Sequence, residues 1–355
     1  MAPGSTSSST YKAVTLAKRP TDAIVINETF TAITKPTPSV DDLKDGEVLF
    51  ESVYLSIDPA MRGWLKDARS YVPPVKIGEV MRGQAVGIVR ESKDPKFPRG
   101  CYAEGIVGWT ELKVCKGSEL QKVELPKAAR LTDVLGVLGM TGLTAYFGIT
   151  EVGKVKAGDF VVVSGAAGAT GSVVGQIAKL KGATVLGIAG SDDKCQWLKK
   201  EVGFDDALNY KDKDFPSKFR AATKQYIDLF FDNVGGEVLD LALSRAKPHS
   251  RFVMCGAISQ YNSSRPQGPK NYLMIISMRI RMEGFIVFDF QKEYPRALRD
   301  LAQWLSEGKI KRKETIVKGG VEQAQYALRD LYNGVNTGKL LVEVKPVDEK
   351  VKPSL

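Results

Sequence analysis

The segment 164–175, SGAAGATGSVVG, narrows the possible folds of this chain more than any other stretch. Gly165, Gly168 and Gly171 fall where an apolar run, DFVVVSG, gives way to an amphipathic one, GSVVGQIAKLKG. A strand that ends in such a turn and feeds a helix brings backbone N–H groups close to a pyrophosphate, and the helix N-terminus adds partial positive charge. Alone, this glycine spacing describes any glycine-rich turn between strand and helix. Here the next apolar run, ATVLGIAG, supplies the second strand that dinucleotide binding requires. The segment predicts a Rossmann-type α/β fold, a doubly wound parallel sheet.

The flanking sequence extends this pattern. After ATVLGIAG comes a helical run, SDDKCQWLKKEVG, and then three further buried strands, YIDLFFDNV, SRFVMCGA and MEGFIVFD. Ahead of the turn, LTDVLGVLGMTGLTAYFGI reads as a long helix with Thr132 able to cap it. From Tyr11 to about Leu131 the texture differs: short β-branched or alternating runs (AVTLA, EVLFESVYLSI, MRGQAVGIVRES, CYAEGIVGWTELKVC) are separated by Pro- and Gly-containing turns. This reads as a β-rich, barrel-type domain. The chain closes with a helix KEYPRALRDLAQWLSEG, the run IKRKETIV, a helix VEQAQYALRDLYNG and an apolar strand KLLVEV, which needs a sheet to join. The expected organisation is a mobile tail over 1–10, a β domain from 11–131 and 308–355, and a Rossmann domain over 132–307.

Bulk properties agree with two soluble domains. A chain of 355 residues with 43% hydrophobic composition exceeds one small core. No run approaches the roughly 18 apolar residues of a membrane span, and MAPGSTSSST lacks the regions of a signal peptide, so a cytoplasmic address is expected. The net charge of +10 arises from 51 basic residues scattered among 41 acidic ones. Its densest cluster, 309–313, is short, so a solvated surface is a better reading than nucleic-acid binding, while the field favours an anionic cofactor. The four cysteines, Cys101, Cys115, Cys195 and Cys255, lack the paired spacing of a disulfide framework or a zinc lobe.

The end of the second strand speaks to which dinucleotide binds. An NAD site usually places Asp or Glu there, about 20 residues beyond the glycine turn, to hold the ribose hydroxyls. Here the strand ends in Ala189, Gly190 and Ser191. Asp192 and Asp193 fall in the first helical turn, where they complement the helix dipole, and Lys194 can offer charge to a 2′-phosphate. NADPH is therefore expected over NADH.

What the chain lacks narrows the chemistry. Catalytic zinc needs several His, Cys and carboxylate ligands. The single histidine, His249 in AKPHSRF, reads as a surface or turn residue, so no metal site is expected. No GxSxG elbow supports a serine hydrolase. Hydride addition to an enone demands less, namely donors for the enolate oxygen and a proton for the α-carbon.

Nine motifs in order, VYLSIDPAMRGW, LGMTGLTAYFGI, VVVSGAAGATGSVVGQIAK, GSDDKCQWLKK, ALNYK, FFDNVGG, CGAISQYN, RMEGFIV and NTGKLLVEV, span nearly the whole chain. Together they resemble the zinc-independent leukotriene/prostaglandin reductase and plant alkenal double-bond reductase branch of the medium-chain dehydrogenase/reductases. The resemblance implies a GroES-like catalytic domain built from both chain ends, a Rossmann domain between them, and a homodimer. It also implies NADPH-dependent reduction of the double bond in a small enal or enone. By matching motif, Gly168, Ala169, Thr170 and Gly171 would hold the pyrophosphate, and Lys194 and Tyr210 the 2′-phosphate. Asn233, Cys255, Gly256, Ala257, Ile258, Ser259 and Tyr261 would line the cofactor cleft, with Met140 and Thr144 nearby. Phe285, Ile286 and Val287 would flank the nicotinamide, and Asn336 would close over it.

The substrate side rests on fewer residues. Tyr54 matches a family tyrosine that faces substrate, although an aromatic in a half-buried strand would look the same. Many relatives place a tyrosine four residues before the Arg of the RMEGF-like segment, whereas this chain has Ser277 before Arg281. Tyr272 or Ser277 could replace it as proton donor, or water could protonate the enolate. Loops around Tyr71, Trp109, 261–270 and Tyr272 are expected to shape the pocket. The rival readings are a quinone reductase with the same fold and cofactor, and a nucleic-acid-binding protein that retains the cofactor fold.

Overall fold

The computed structural model describes residues 9–346. Seven strands come first: β1 (Thr10–Leu16), β2 (Phe30–Pro36), β3 (Glu47–Ser56), β4 (Gln84–Ser92), β5 (Tyr102–Ile106), β6 (Leu112–Lys116) and β7 (Leu120–Lys122), with a short helix α1 (Met61–Trp64) after β3. Next, α2 (Met140–Phe147) leads into β8 (Phe160–Val163), α3 (Ala169–Leu180), β9 (Thr184–Ala189), α4 (Asp192–Trp197), β10 (Asp206–Asn209), α5 (Phe215–Ala222), β11 (Ile227–Asp232), α6 (Gly236–Leu243), β12 (Ala246–Met254), α7 (Leu273–Ser277) and β13 (Arg281–Gly284). Finally come α8 (Tyr294–Ser306), β14 (Glu314–Lys318), α9 (Ala324–Tyr332) and β15 (Lys339–Glu343).

The chain divides into two compact units. Among the described residues one comprises 9–125, Ile316–Leu331 and 340–346; the other comprises Pro126–Thr315 and Tyr332–Lys339. Residues 308–315 and 332–339 thus group with the α/β unit. Hydrogen bonds explain this placement: the Gln176 side-chain amide donates to Lys311 O and accepts from Lys311 N–H, and Gly338 N–H donates to Ala167 O at 2.7 Å.

The first unit is antiparallel. A two-stranded ribbon, β1–β2, accompanies a seven-stranded sheet in the order β14-β15-β3-β4-β5-β7, with β6 also paired to β3. The apolar last strand finds its host here, with Leu341 opposite Ser56 and Glu343 opposite Tyr54. Alternation sets the core: Val53, Leu55, Ala85 and Ala103 are almost fully buried. Of the expected tail over 1–10, residues 1–8 lie outside the described chain. Thr10 is no tail residue: it opens β1 opposite Pro36.

The second unit carries a six-stranded sheet in the order β10-β9-β8-β11-β12-β13, every pair parallel. Helix–strand alternation requires crossovers on both faces, so the central strands read as continuous apolar runs such as FVVV and are wholly buried. The order reverses between β8 and β11, and in open α/β sheets ligands bind at such a reversal, outside the carboxyl ends of the strands.

Three expectations change. The apolar segment 131–149 is not one helix capped by Thr132. A 3-10 turn covers Leu131–Leu135 with Arg130 at its N-cap, whose N–H donates to the Asp133 carboxylate at 2.7 Å. Helix α2 begins only at Met140, after Gly139. Thr132 is 5% exposed and its hydroxyl caps nothing. The strand expected over MEGFIVFD ends at Gly284, and a 3-10 stretch takes over at Val287–Glu293. Trp109 does not shape a pocket loop: it is fully buried, its ring 4.9 Å from that of Phe30.

Candidate active site

The site is built outward from the glycine turn. Strand β8 leads into Ser164, whose hydroxyl donates to the buried carboxylate of Asp232 at 2.7 Å and accepts from Asn233 N–H at 2.8 Å. The Asn233 amide donates to Ser164 O, so the ends of β8 and β11 are stitched together across the sheet reversal. Asp232 also accepts the N–H groups of Val234 and Gly235. Burial pushes its carboxyl above the ordinary range, and these bonds pull it back. Its role is to fix the backbone of the FDNVGG turn.

Gly165 holds φ +59, a left-handed conformation that glycine adopts without strain. At Gly171 a Cβ would stand 2.4 Å from Gly165 O, so helix α3 can approach the turn only as glycine. Gly168 is the N-cap of α3 in extended conformation and brings no side-chain oxygen to the helix end. The first-turn N–H groups therefore point to whatever anion occupies the turn. Ala169 and Thr170 sit half-exposed at that end.

The residues from 255 to 261 follow β12 across the same edge. Cys255 and Gly256 N–H donate to Asp232 O, Ile258 N–H to Asn233 O, and Ser259 to Val234 O through both N–H and hydroxyl. The Tyr261 hydroxyl accepts from Ala257 N–H at 3.0 Å. These residues are thus brought together with Asn233. Asn336 joins the same edge: its amide donates to Gly338 O, and Gly338 pairs with Gly168 in a parallel bridge.

At the end of β9, Gly190 leaves space for the Tyr210 ring, which would lie 3.0 Å from a Cβ there. Ser191 caps α4 by accepting Lys194 N–H, and Lys194 Nζ donates to Gly334 O at 2.6 Å. Burial, then the neighbouring Lys211, lowers the Lys194 pKa, and Lys211 lies 6.0 Å from the Tyr210 ring. Two lysines and a phenol thus cluster where an acidic residue would serve a ribose diol. The motif reading picked out Lys194 and Tyr210 but missed Lys211. Its signal, the residue after Tyr in ALNYK, is a surface lysine until the fold shows its neighbours.

Met140, Thr144, Phe285 and Val287 share another neighbourhood in this unit. Thr144 Oγ donates to Met140 O, and the Tyr294 hydroxyl lies 3.8 Å from Met140 Sδ and donates to Val287 O. Phe285 packs edge-on against Phe231, and Ile286 is the extended residue that starts the 3-10 stretch. The candidate donors behave differently. Ser277 is exposed and its hydroxyl contacts Leu273 O at 3.4 Å; Tyr272 is 57% exposed at the start of α7. Neither joins the cluster around the glycine turn. Tyr54 is half-buried on β3 of the antiparallel unit.

The donor set does not fit zinc. Among the described residues no group of three or more His, Cys, Asp or Glu could hold a metal. His249 is exposed. Burial raises the Cys115 and Cys195 thiols to about 11 and the Cys255 thiol to about 12, so none is a ready thiolate.

Residues 12–123 match the family described as the N-terminal domain of oxidoreductase, and residues 169–303 the family described as zinc-binding dehydrogenase. Prostaglandin reductase 1 of Bos taurus is 45% identical over 86% of this chain and 92% of its own length. The chain belongs to the medium-chain dehydrogenase/reductase family. Within that family it is also similar to the NADP(+)-dependent 2-alkenal reductase of Nicotiana tabacum, 41% identical over 84% of this chain and 87% of the relative. CurA from Vibrio vulnificus, solved in complex with NADPH, superposes with a TM-score of 0.88 at 39% identity, covering 95% of this chain and all of that one. The protein is an oxidoreductase of the prostaglandin, alkenal and curcumin reductase kind, and the zinc in the second family's description has no matching ligand set among the described residues.

Proposed function

We propose that this protein reduces the carbon–carbon double bond of α,β-unsaturated aldehydes and ketones with NADPH. The observation that carries the cofactor choice is the cationic end of β9, where Gly190 and Ser191 replace an acid and Lys194 and Lys211 stand beside Tyr210. A 2′-phosphate would find two ammonium groups and a phenol there. The glycine turn fits the pyrophosphate, because Gly171 permits the close approach and α3 presents its first-turn N–H groups. When bound, NADPH supplies the hydride that adds to the β-carbon of the alkene.

The remaining roles fall to the chain. Gly168, Ala169, Thr170 and Gly171 grip the pyrophosphate. Asn233 and the backbone from Cys255 to Ser259, with Tyr261 behind it, hold the middle of the cofactor, and Asn336 closes over it. Phe285, Ile286 and Val287, backed by Met140 and Thr144, orient the nicotinamide. Such orientation is where much of the rate arises, since positioned reactants avoid the entropy of encounter. Tyr54 donates a hydrogen bond to the carbonyl oxygen as charge develops there. Tyr272 and Ser277 are too exposed to be preferred as proton donors.

The relatives named for alkenal and prostaglandin reduction favour the double bond over a quinone. The test is NADPH oxidation with a panel of 2-alkenals, enones and quinones, NADH in parallel, and chromatography of the products. Saturated carbonyls formed preferentially with NADPH support the reading; quinol alone, or no turnover despite NADPH binding, overturns it. Tyr54→Phe is expected to lower enone turnover about tenfold while leaving the NADPH dissociation constant unchanged. A homodimer accompanies this reading. The position of β13 at the edge of its sheet among the described residues and the exposed Leu273 and Ile276 of α7 support it, and light scattering decides it.

A further inference from the structure

Residues 333–338, NGVNTG, carry the chain from α9 to β15 and belong to no helix or strand. The inner half of this strap is pinned. Gly338 N–H donates to Ala167 O at 2.7 Å and Gly338 pairs with Gly168; its φ is +70, and a Cβ there would run into Lys313 O. Thr337 N–H donates to Thr315 Oγ1 at 3.1 Å, and the same hydroxyl donates to Thr337 O at 2.9 Å. The outer half is open. A Cβ on Gly334, φ +69, would meet nothing within 4 Å, and Val335 is 67% exposed. A side chain from α4 reaches this half: Lys194 Nζ donates to Gly334 O at 2.6 Å. Asn336 stands two residues further on, with its amide on Gly338 O.

That bond joins two ends of the proposed cofactor site, since Lys194 serves the 2′-phosphate there and Asn336 closes over the nicotinamide. An ammonium has three N–H donors, so one spent on Gly334 O leaves two for a phosphate. Ser191 accepts Lys194 N–H at the start of α4, which fixes the root of the side chain while its four-carbon stem stays free to turn. Without an anion the ammonium is poorly placed. Burial, then Lys211, disfavours its charged form, and one bond to a neutral carbonyl works against the rotamer entropy of the stem. A phosphate reverses this balance: it offsets the charge of both lysines and holds the ammonium by charge-assisted bonds, so the carbonyl bound to that ammonium is held as well.

We propose that Lys194 is a positioning residue as well as a phosphate ligand: a 2′-phosphate immobilises its ammonium, and the bond to Gly334 O then orders the strap that presents Asn336. The proposal rests on the NADPH reading of the end of β9. The phosphate contributes to turnover in this way and not to binding alone, although it sits at the opposite end of the cofactor from the reacting carbon. NADH fills the glycine turn but leaves the outer strap loose. Its penalty therefore falls on kcat as well as on the Michaelis constant.

Amide hydrogen exchange of the full-length protein reads the strap directly, with saturating adenosine 2′,5′-bisphosphate, with saturating AMP and without ligand. The bisphosphate is expected to bind at least about tenfold tighter than AMP. It should slow exchange at 334–336 by about tenfold or more, whereas AMP leaves exchange as in the free protein. Lys194→Met, at ligand concentrations that restore occupancy, should lose that protection. Gly334→Val separates positioning from binding. Its φ of +69 opposes a β-branched side chain although the space is open, so the carbonyl moves while the ammonium stays available. This variant should bind the bisphosphate nearly as tightly as wild type, lack protection of the strap, and reduce enones with NADPH no faster than with NADH; in wild type the NADPH kcat should be about tenfold the higher. Tighter binding of the bisphosphate with equal exchange under both nucleotides overturns the coupling and leaves the NADPH reading standing. Equal affinities for the two nucleotides overturn both. Equal wild-type kcat values, or protection that survives in Lys194→Met, refute the positioning role; should that variant not fold, protection that survives in Gly334→Val does the same. The exchange measurement needs no turnover, so it decides the coupling whatever the substrate.

Discussion

Lys194 carries two loads. In the proposed site its ammonium is one of the charges offered to a 2′-phosphate, and it also tethers Gly334, 140 residues away in sequence. Lys194→Ala is expected to raise the Michaelis constant for NADPH about tenfold or more, since charge-assisted bonds contribute roughly 1.5–3 kcal/mol, with a far smaller change for NADH. Equal changes for both cofactors, measured side by side, would remove the phosphate role. Gly171 makes a sterically sharper case. The contacts awaiting a Cβ, Gly165 O at 2.4 Å and Ala166 Cα at 2.9 Å, are backbone atoms that cannot swing aside. Gly171→Ala should therefore weaken NADPH binding by more than about tenfold while the chain stays folded; a fluorescence titration reads the first effect and circular dichroism the second.

Helix ends and helix anchors set the next scale. Ser191 accepts Lys194 N–H at the start of α4, with Asp192 and Asp193 in the first turn to complement the dipole. Ser191→Ala should cost about 1 kcal/mol in urea denaturation. Helix α3 is anchored differently. Gln176, 3% exposed, meets the backbone of Lys311 with both halves of its amide, at 2.9 and 2.6 Å. Gln176→Leu leaves the part-buried N–H and C=O of Lys311 without this partner, so a loss of about 1–3 kcal/mol is expected, larger than at Ser191. A smaller loss in parallel urea titrations would mean that water replaces the amide.

Across the whole molecule, the segment 308–315 is held in the α/β unit by an ion pair as well as by Gln176. Arg312 Nε lies 2.5 Å from Oδ1 of Asp133, which is 1% exposed. The contact is an ion pair rather than an aligned hydrogen bond. Burial keeps the Asp133 carboxyl above its usual value even with Arg312 beside it. Arg312→Leu leaves this charge unpaired, so a loss of about 3–5 kcal/mol is expected at neutral pH. The pH sign follows from the raised folded value. The folded state binds the proton more readily than the unfolded one, so stability falls as pH rises through that window, and more steeply once Arg312 is gone. The deficit of the variant should therefore shrink on acidification; chemical denaturation at several pH values checks it, and a deficit that grows in acid would contradict the assignment.

By itself the sequence determined what depends on neighbours along the chain. The strand–glycine turn–helix unit, the βαβ alternation and the missing acid at Gly190 and Ser191 follow from periodicity and turn chemistry within about 30 residues. The long reach of its motifs was enough to place the family. Tertiary structure decided what depends on partners brought from afar. Ser164 and Asp232 stitch two strands 68 residues apart, Glu343 comes to stand opposite Tyr54, and burial raises the Glu104 carboxyl to about 7 against the pull of its Gln84 bond. It also ended the strand at Gly284, broke the helix expected from Thr132, and turned Trp109 into core. In each case burial and strand register, which no local pattern encodes, outweighed the propensity of the residues themselves.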